Sequence, residues 1–203
     1  MKKMLLNTNL FALIFALLIS LIPAPTVDAA SNKAKAEKVV KTYINATKSY
    51  NINKMNKCFR SKPKNAFFVK KKAMAKYCRK YNKKTTYQIK STKIKGKSGT
   101  IKVSVTSPDC YYIFLDAFED FEDYYVDYYL DHGRYPSSAK ANTYLMNSIK
   151  YYTYEWGGVG YNTRTITFKM IKTKRGWKIQ SASRRIKDIA NCRYEEAHDD
   201  SFD

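Results

Sequence analysis

Carboxylates are the first residues to consider for chemistry, because a buried acid with a raised pKa can transfer protons near neutral pH. Most acids of this chain lie in the segment 109–131 or in the C-terminal tail. Of the others, Glu37 falls in the first turn of a predicted helix, and Asp188 lies among three basic residues that can pair with it. Glu155, between two aromatic residues and before a glycine-rich link, is the remaining candidate for a pocket acid. The alternative is a solvated residue at a helix end.

Other catalytic patterns do not emerge. His132 and His198 fall in a predicted loop and in the tail, without a Ser or Cys partner at a useful spacing. The glycines of 157–160 lack the spacing of a dinucleotide-binding loop. Carboxylates at helical i, i+4 spacing, without a loop and a glycine, do not make a calcium site of the loop type. The sequence therefore predicts no cofactor and no metal.

Four cysteines follow the N-terminal segment, and none belongs to a C-x-x-C pair or has a histidine at zinc-site spacing. They are Cys58, Cys78, Cys110 and Cys192. Outside the cytosol, an even number suggests two disulfides with three possible pairings. Pairing Cys58 with Cys78 and Cys110 with Cys192 would tie helix to helix and the central helix to the tail. The alternative is buried free thiols, since Cys packs well as a small apolar residue.

Residues 1–30 have the pattern of a secretory signal. Lys2 and Lys3 precede an apolar run over 11–22, and small residues follow two prolines near 27–29. An uncleaved anchor is the alternative, although the run is shorter than the roughly 20 residues that span a bilayer. No later segment is apolar enough for a stable span, so we expect a secreted or cell-wall-associated protein.

Charge is unevenly distributed along the chain. The total is +21, yet residues 31–104 carry 23 Lys and Arg against one acid, while residues 105–203 carry 13 against 15. One predicted helix and the turn after it concentrate the bases. These candidate anion-binding residues are Lys71, Lys72, Lys76, Arg79, Lys80, Lys83 and Lys84. The alternative is a solvated helix face, but the excess of basic over acidic residues is larger than solubility requires. Export favours anionic cell-surface polymers or lipid headgroups over any specific nucleic acid as partners.

The elements that position these residues follow from periodicity. The segment 109–131 reads as an amphipathic helix whose acids fall within roughly 120° of arc, opposite a face of aromatic residues. We expect that face to pack on a sheet. Helices are also predicted over about 31–50, 65–81 and after Ser137, with alternating strands on either side of the central helix. The fold class is therefore α+β, with helices on a curved antiparallel sheet of about four main strands. One domain over 31–190 and a loose acidic tail over 191–203 are expected.

The order of three motifs resembles a known superfamily. They are the Ala-x-x-Val-Val-x-x-Tyr run from Ala36 to Tyr43, the end of a first hairpin over 106–109, and the Gly-Trp-Lys-Ile close of the last hairpin over 176–179. Over about 34–183 the chain resembles secreted bacterial members of the nuclear transport factor 2-like superfamily. The resemblance implies a curved sheet wrapped round the first helix, forming a cone that in many members holds a ligand or an active site.

Two functions follow as expectations. The first is a non-catalytic binding protein that holds anionic polymers on its basic helices, or a small ligand in the cone between Tyr43, Tyr87, Trp156 and Phe168. These aromatics are the ligand-pocket candidates, and a filled core is their alternative. The second is an enzyme of the isomerase or dehydratase kind, as in the ketosteroid isomerases of similar fold, with Glu155 as the acting carboxylate.

Overall fold

The computed structural model describes residues 27–63 and 72–201, and in this part the chain forms seven helices and four strands. The predicted signal lies almost wholly outside these residues. In chain order the elements are α1 Val27–Lys48, α2 Ile52–Lys57, α3 Lys72–Asn82, β1 Thr86–Lys95, β2 Ser98–Asp109, α4 Tyr111–His132, α5 Ser138–Glu155, β3 Gly160–Thr173, β4 Gly176–Ile179, α6 Arg184–Asn191 and α7 Tyr194–Ser201. Within this part of the chain, no helix combines the length and apolar character needed to cross a bilayer.

The strands form one open antiparallel sheet in the order β1-β2-β3-β4. This confirms the predicted α+β class and the four antiparallel strands. The register of the β1–β2 pair shifts between Ile89 and Ser91, as at a β-bulge. The longest pairing joins β2 to β3, from Ser98 opposite Ile171 to Asp109 opposite Gly160.

Helix α1 crosses the sheet and contacts both edge strands, β1 and β4. Its buried face includes Val40, Tyr43 and Ile44, all fully buried. The Tyr43 ring packs edge-on against Phe59 at 5.4 Å and against Phe168 of β3 at 6.1 Å. Aliphatic and aromatic side chains thus fill the space between α1 and the sheet.

The central helix α4 is buried through its first turns, but not against the sheet as predicted. Phe114 and Phe118 are almost fully buried. Their ring centroids lie 5.4 and 5.2 Å from that of Tyr194 in α7. The main neighbours of α4 are α5 and α7. The expected packing on the sheet is therefore wrong, because periodicity shows which face is buried and not which element covers it.

The acids of α4 that face α5 accept hydrogen bonds from it. Asp116 accepts from the indole Nε1 of Trp156 at 2.8 Å. Asp120 accepts from the hydroxyl of Tyr144 at 3.1 Å and from Ser148. This side of α4 therefore contributes to the contact between the two helices.

The expectation of a loose tail is wrong for residues 191–201, because α7 packs on α4 and Ala197 is fully buried. The Nε atom of Arg193 lies 2.7 Å from Oε2 of Glu196, and its Nη1 atom lies 2.8 Å from Oδ1 of Asp109. The hydrogen bond from Arg193 holds the pKa of Glu196 below its usual range. The acids that suggested a solvated tail instead pair with bases of the fold, so the domain extends to residue 201.

Candidate functional site

A groove of about 970 Å³ runs between α3 and α5. Its floor is apolar and aromatic, formed by Ala73, Tyr77 and Tyr81 from α3 and Met146 from α5. The rings of Tyr77 and Tyr81 lie 4.9 Å apart. A concave surface of this size and composition is typical of small-molecule binding sites.

Five cations surround this floor, and the described residues that line the groove include no carboxylate. They are Lys76, Arg79, Lys80 and Lys83 from α3 and the turn after it, and Lys150 from α5. All five are exposed. The ammonium of Lys80 lies 4.9 Å from the centroid of the Tyr81 ring, so it also covers part of the floor. The groove therefore combines an apolar base with a strongly positive rim.

One hydrogen bond joins the two walls of the groove, and two others hold each wall in place. The hydroxyls of Tyr77 in α3 and Thr153 in α5 lie 2.8 Å apart. Thr153 in turn donates to the carbonyl of Ile149 at 2.5 Å. Burial is the main cause that raises the pKa of Tyr77, so the phenol keeps its proton. On the other side, Tyr161 of β3 donates to the carbonyl of Tyr81 at 3.0 Å.

Four of the seven predicted anion-binding residues meet at this rim, namely Lys76, Arg79, Lys80 and Lys83. Lys72 lines a smaller neighbouring hollow at the start of α3. The ammonium of Lys84 lies 5.9 Å from the Tyr161 ring centroid, beyond the end of the helix. Lys71 lies outside the described residues.

The four predicted ligand-pocket aromatics do not form one pocket. Tyr43 and Phe168 belong to the filled core, where the hydroxyl of Tyr43 donates to the carbonyl of Ile186 at 2.7 Å. Tyr87 is half-buried on β1. Trp156 is 54% exposed just after α5 and stacks on Tyr112. The prediction of a ligand-holding cone between them is wrong, because bulky side chains from α1 and the sheet occupy that space.

Glu155 is exposed at the C-terminal end of α5. A catalytic carboxyl of the predicted kind has to be enclosed in an apolar pocket, and Glu155 is not. The prediction of Glu155 as a pocket acid is therefore wrong, and its alternative, a solvated helix-end residue, describes it.

Asp188, which the sequence suggested would be paired, is a carboxyl whose pKa is raised. It is 4% exposed, and neither carboxyl oxygen has a hydrogen-bond partner among the described residues. Burial, followed by the charge of Glu196, raises the pKa of Asp188 to about 7, against the opposing effect of nearby arginines. Of the basic residues next to it in sequence, Arg184 acts on it electrostatically without hydrogen-bonding it.

The four cysteines are buried free thiols. The thiol of Cys58 donates to the carbonyl of Lys54 at 3.4 Å, at the end of α2. Cys78 instead contacts Cys192. The predicted pairing of Cys58 with Cys78 is therefore wrong, since the two have different neighbours.

The α5 wall of the groove was missed by the sequence analysis. Met146, Lys150, Thr153 and Gly157 recur at the spacing of one helical face, which is the signal that could have identified it. Nothing in that spacing indicated that α3 would lie opposite.

No protein-family model matches the chain, and no curated protein sequence matches it. A solved structure with weak similarity is that of a candidate lipoprotein, ycdA, from Bacillus subtilis subsp. subtilis strain 168. The match has a TM-score of 0.34 and 18% sequence identity, and it covers 82% of this chain. It covers 50% of that protein, so the chain spans about half its length.

Proposed function

We propose that this chain is an exported, non-catalytic binding protein that takes an anionic amphiphile into the groove between α3 and α5. Such a ligand carries a phosphate or carboxylate next to an apolar part. The supporting observation is the combination of an aromatic floor and five rim cations within one groove of about 970 Å³. The signal pattern over 1–30 supports export and location outside the cell or in its envelope.

Both features of the groove are needed for this choice of ligand. A neutral apolar molecule would leave five like charges close together without a counter-charge. A bare polyanion would leave the partly exposed side chains of Tyr81 and Met146 in contact with water. An amphiphile removes apolar surface from water at the floor and neutralises the rim, and both effects favour binding.

Catalysis receives no support from the groove. Among the residues that the structure describes, its lining includes no carboxylate, histidine or cysteine. Glu155 lies in solvent, and the perturbed Asp188 is enclosed in the core rather than in the groove. The isomerase or dehydratase alternative therefore has no proton acceptor of the required kind at this site.

Three probes separate the parts of the proposal: dodecyl phosphate below its micelle concentration, glycerol phosphate as charge without a chain, and dodecanol as a chain without charge. Titration calorimetry should show one site for dodecyl phosphate, weaker at higher salt, and much weaker binding of the other two. Equally tight binding of glycerol phosphate would contradict a role for the floor.

Matched variants locate the site. Lys76→Glu with Lys80→Glu should weaken dodecyl phosphate binding at least about tenfold, since each basic residue near an anionic group contributes about 1 kcal/mol. Ala73→Trp, at an exposed position of the floor, should weaken it by blocking the groove. The control, Lys93→Glu with Lys95→Glu, makes the same charge change at exposed positions of β1. Equal losses in the control and in the groove variants would rule out the groove in favour of unspecific attraction.

A further inference from the structure

Three of the four thiols meet in the core. Cys78 lies in α3, Cys110 immediately before α4, and Cys192 immediately after α6, and all three are fully buried. The thiols of Cys110 and Cys78 lie close enough to that of Cys192 to raise its pKa. The hydroxyl of Tyr77 lies 3.8 Å from the sulfur of Cys110. Three chain segments that are distant in sequence thus bring their sulfur atoms together.

The backbone brings two of these cysteines closer still. The amide of Cys110 donates to the carbonyl of Cys192 at 3.3 Å. A direct backbone hydrogen bond of this kind is compatible with the roughly 4.4–6.8 Å between Cα atoms over which disulfides form. Cys78 has no such bond to Cys192, and it lies within a helix rather than at its end.

Both residues occupy helix ends that favour other residue types. Cys110 is the N-cap of α4 and makes no side-chain capping bond, where Ser, Thr, Asp or Asn would. Cys192 follows α6 with φ of 56°, a left-handed conformation usually left to Gly or Asn. The backbone conformation at Cys192 disfavours cysteine, and the thiol at Cys110 makes no capping bond, so the thiols themselves are the feature that the two positions share.

We infer that Cys110 and Cys192 form a disulfide in the exported protein, tying the start of α4 to the end of α6, while Cys78 and Cys58 remain thiols. This link is independent of what the groove binds. It preserves half of the pairing expected from the sequence and replaces the other half by two free cysteines.

The reaction is an exchange with an oxidising disulfide, either glutathione disulfide or a thiol–disulfide oxidoreductase. One cysteine thiolate attacks a sulfur of the reagent, which forms a mixed disulfide and releases the first reagent thiolate. The second cysteine thiolate attacks the protein sulfur of that mixed disulfide and releases the other. The protein loses two electrons and two protons, and the reagent gains them as two thiols. Because hydrogen bonding and burial raise the pKa of Cys192, the exchange belongs to folding, before the corner between α6 and α7 docks.

The test is to refold the reduced chain in a glutathione redox buffer, unfold it, alkylate the free thiols and digest it without reduction. Mass spectrometry should show the loss of two hydrogens, a cross-linked peptide pair containing Cys110 and Cys192, and alkylation at Cys58 and Cys78. Four alkylated cysteines, or a main cross-link that includes Cys58 or Cys78, would overturn the inference.

A stability measurement checks the same link without relying on peptide mapping. Reduction should lower the urea midpoint of the refolded wild-type chain and of the control variant Cys58→Ser. It should leave the midpoint of Cys110→Ser unchanged. A fall of equal size in all three proteins would also contradict the assignment.

Discussion

Replacing Asp188 by Asn should stabilise the protein increasingly as the pH rises from 4 to 7. The pKa of this carboxyl is about 7 in the folded protein against an ordinary value of 3.8. The folded state therefore binds the proton more tightly than the unfolded state does. The favourable contribution of protonated Asp188 is complete below pH 3.8 and is lost as the pH rises through 7.

The magnitude follows from that difference. Between the two pKa values, each pH unit costs the wild type about 1.4 kcal/mol, which accumulates to about 4 kcal/mol above pH 7. Asn has a similar shape and no charge, so it removes this pH dependence. The advantage of Asp188→Asn should therefore grow by about 1.4 kcal/mol per pH unit and become constant above pH 7.

The charged and titratable groups around Asp188 come from three other parts of the fold. Tyr43 approaches from α1, Arg164 from β3, and Arg193 and Glu196 from the α7 end, besides Arg184 on its own helix. The arginines favour the ionised carboxylate, while burial and Glu196 favour the protonated form and prevail. One guanidinium nitrogen of Arg164 is buried without a hydrogen-bond partner among the described residues.

Urea unfolding of both proteins at several pH values between 4.5 and 8.5, followed by tryptophan fluorescence, measures the free energy of unfolding directly. Trp177 is 4% exposed and reports on the core. Asp199→Asn is the control, because Asp199 is about half-exposed and pairs with Arg184 at the surface. A constant difference between Asp188→Asn and wild type across this range would refute the argument, as would a loss of stability at pH 8.

Three further changes test the packing. Phe168→Ala should lower the free energy of unfolding by about 3–5 kcal/mol through the cavity it leaves. Tyr154→Ala is the control, because Tyr154 is 81% exposed and its loss should change that free energy by less than about 0.5 kcal/mol. Similar urea midpoints for the two variants would contradict a filled core. Tyr43→Phe should lower the free energy of unfolding by about 1 kcal/mol, since it removes the buried hydrogen bond from the hydroxyl to the carbonyl of Ile186, and an unchanged urea midpoint would contradict a stabilising role for this bond. Ending the chain at Arg193 should lower the urea midpoint, because it removes Tyr194 and exposes Phe118 to solvent. An unchanged midpoint would support the prediction that the tail is loose.

Periodicity predicted those parts of the fold that depend on local pattern. The alternation at Ile101, Val103 and Val105 marked a strand, and all three are buried. The spacing of Ala36, Val40 and Tyr43 likewise identified the buried face of α1. These assignments needed only the geometry of one element.

Tertiary partners could not be obtained in the same way. An acid on a helix surface looks the same in sequence whether it faces water or, like Asp120, accepts a hydrogen bond from Tyr144. The bases of α3 were recognisable as a face, but the groove exists only because Met146 and Lys150 lie across from them. For Asp188 the sequence predicted partners that the structure does not provide. Its basic neighbours in sequence make no hydrogen bond to the carboxyl oxygens.

The strands β2 and β3 are adjacent in the sheet, yet the whole helical hairpin of α4 and α5 separates them along the chain. Closing so long a loop is entropically costly, so a pairing of this kind is slow to form. The bond between Trp156 and Asp116 joins the two ends of that insertion, close to where Asp109 meets Gly160. The hairpin of α4 and α5 can therefore act as a long turn between the two strands. Their pairing can then proceed from Asp109 and Gly160 towards Ser98 and Ile171.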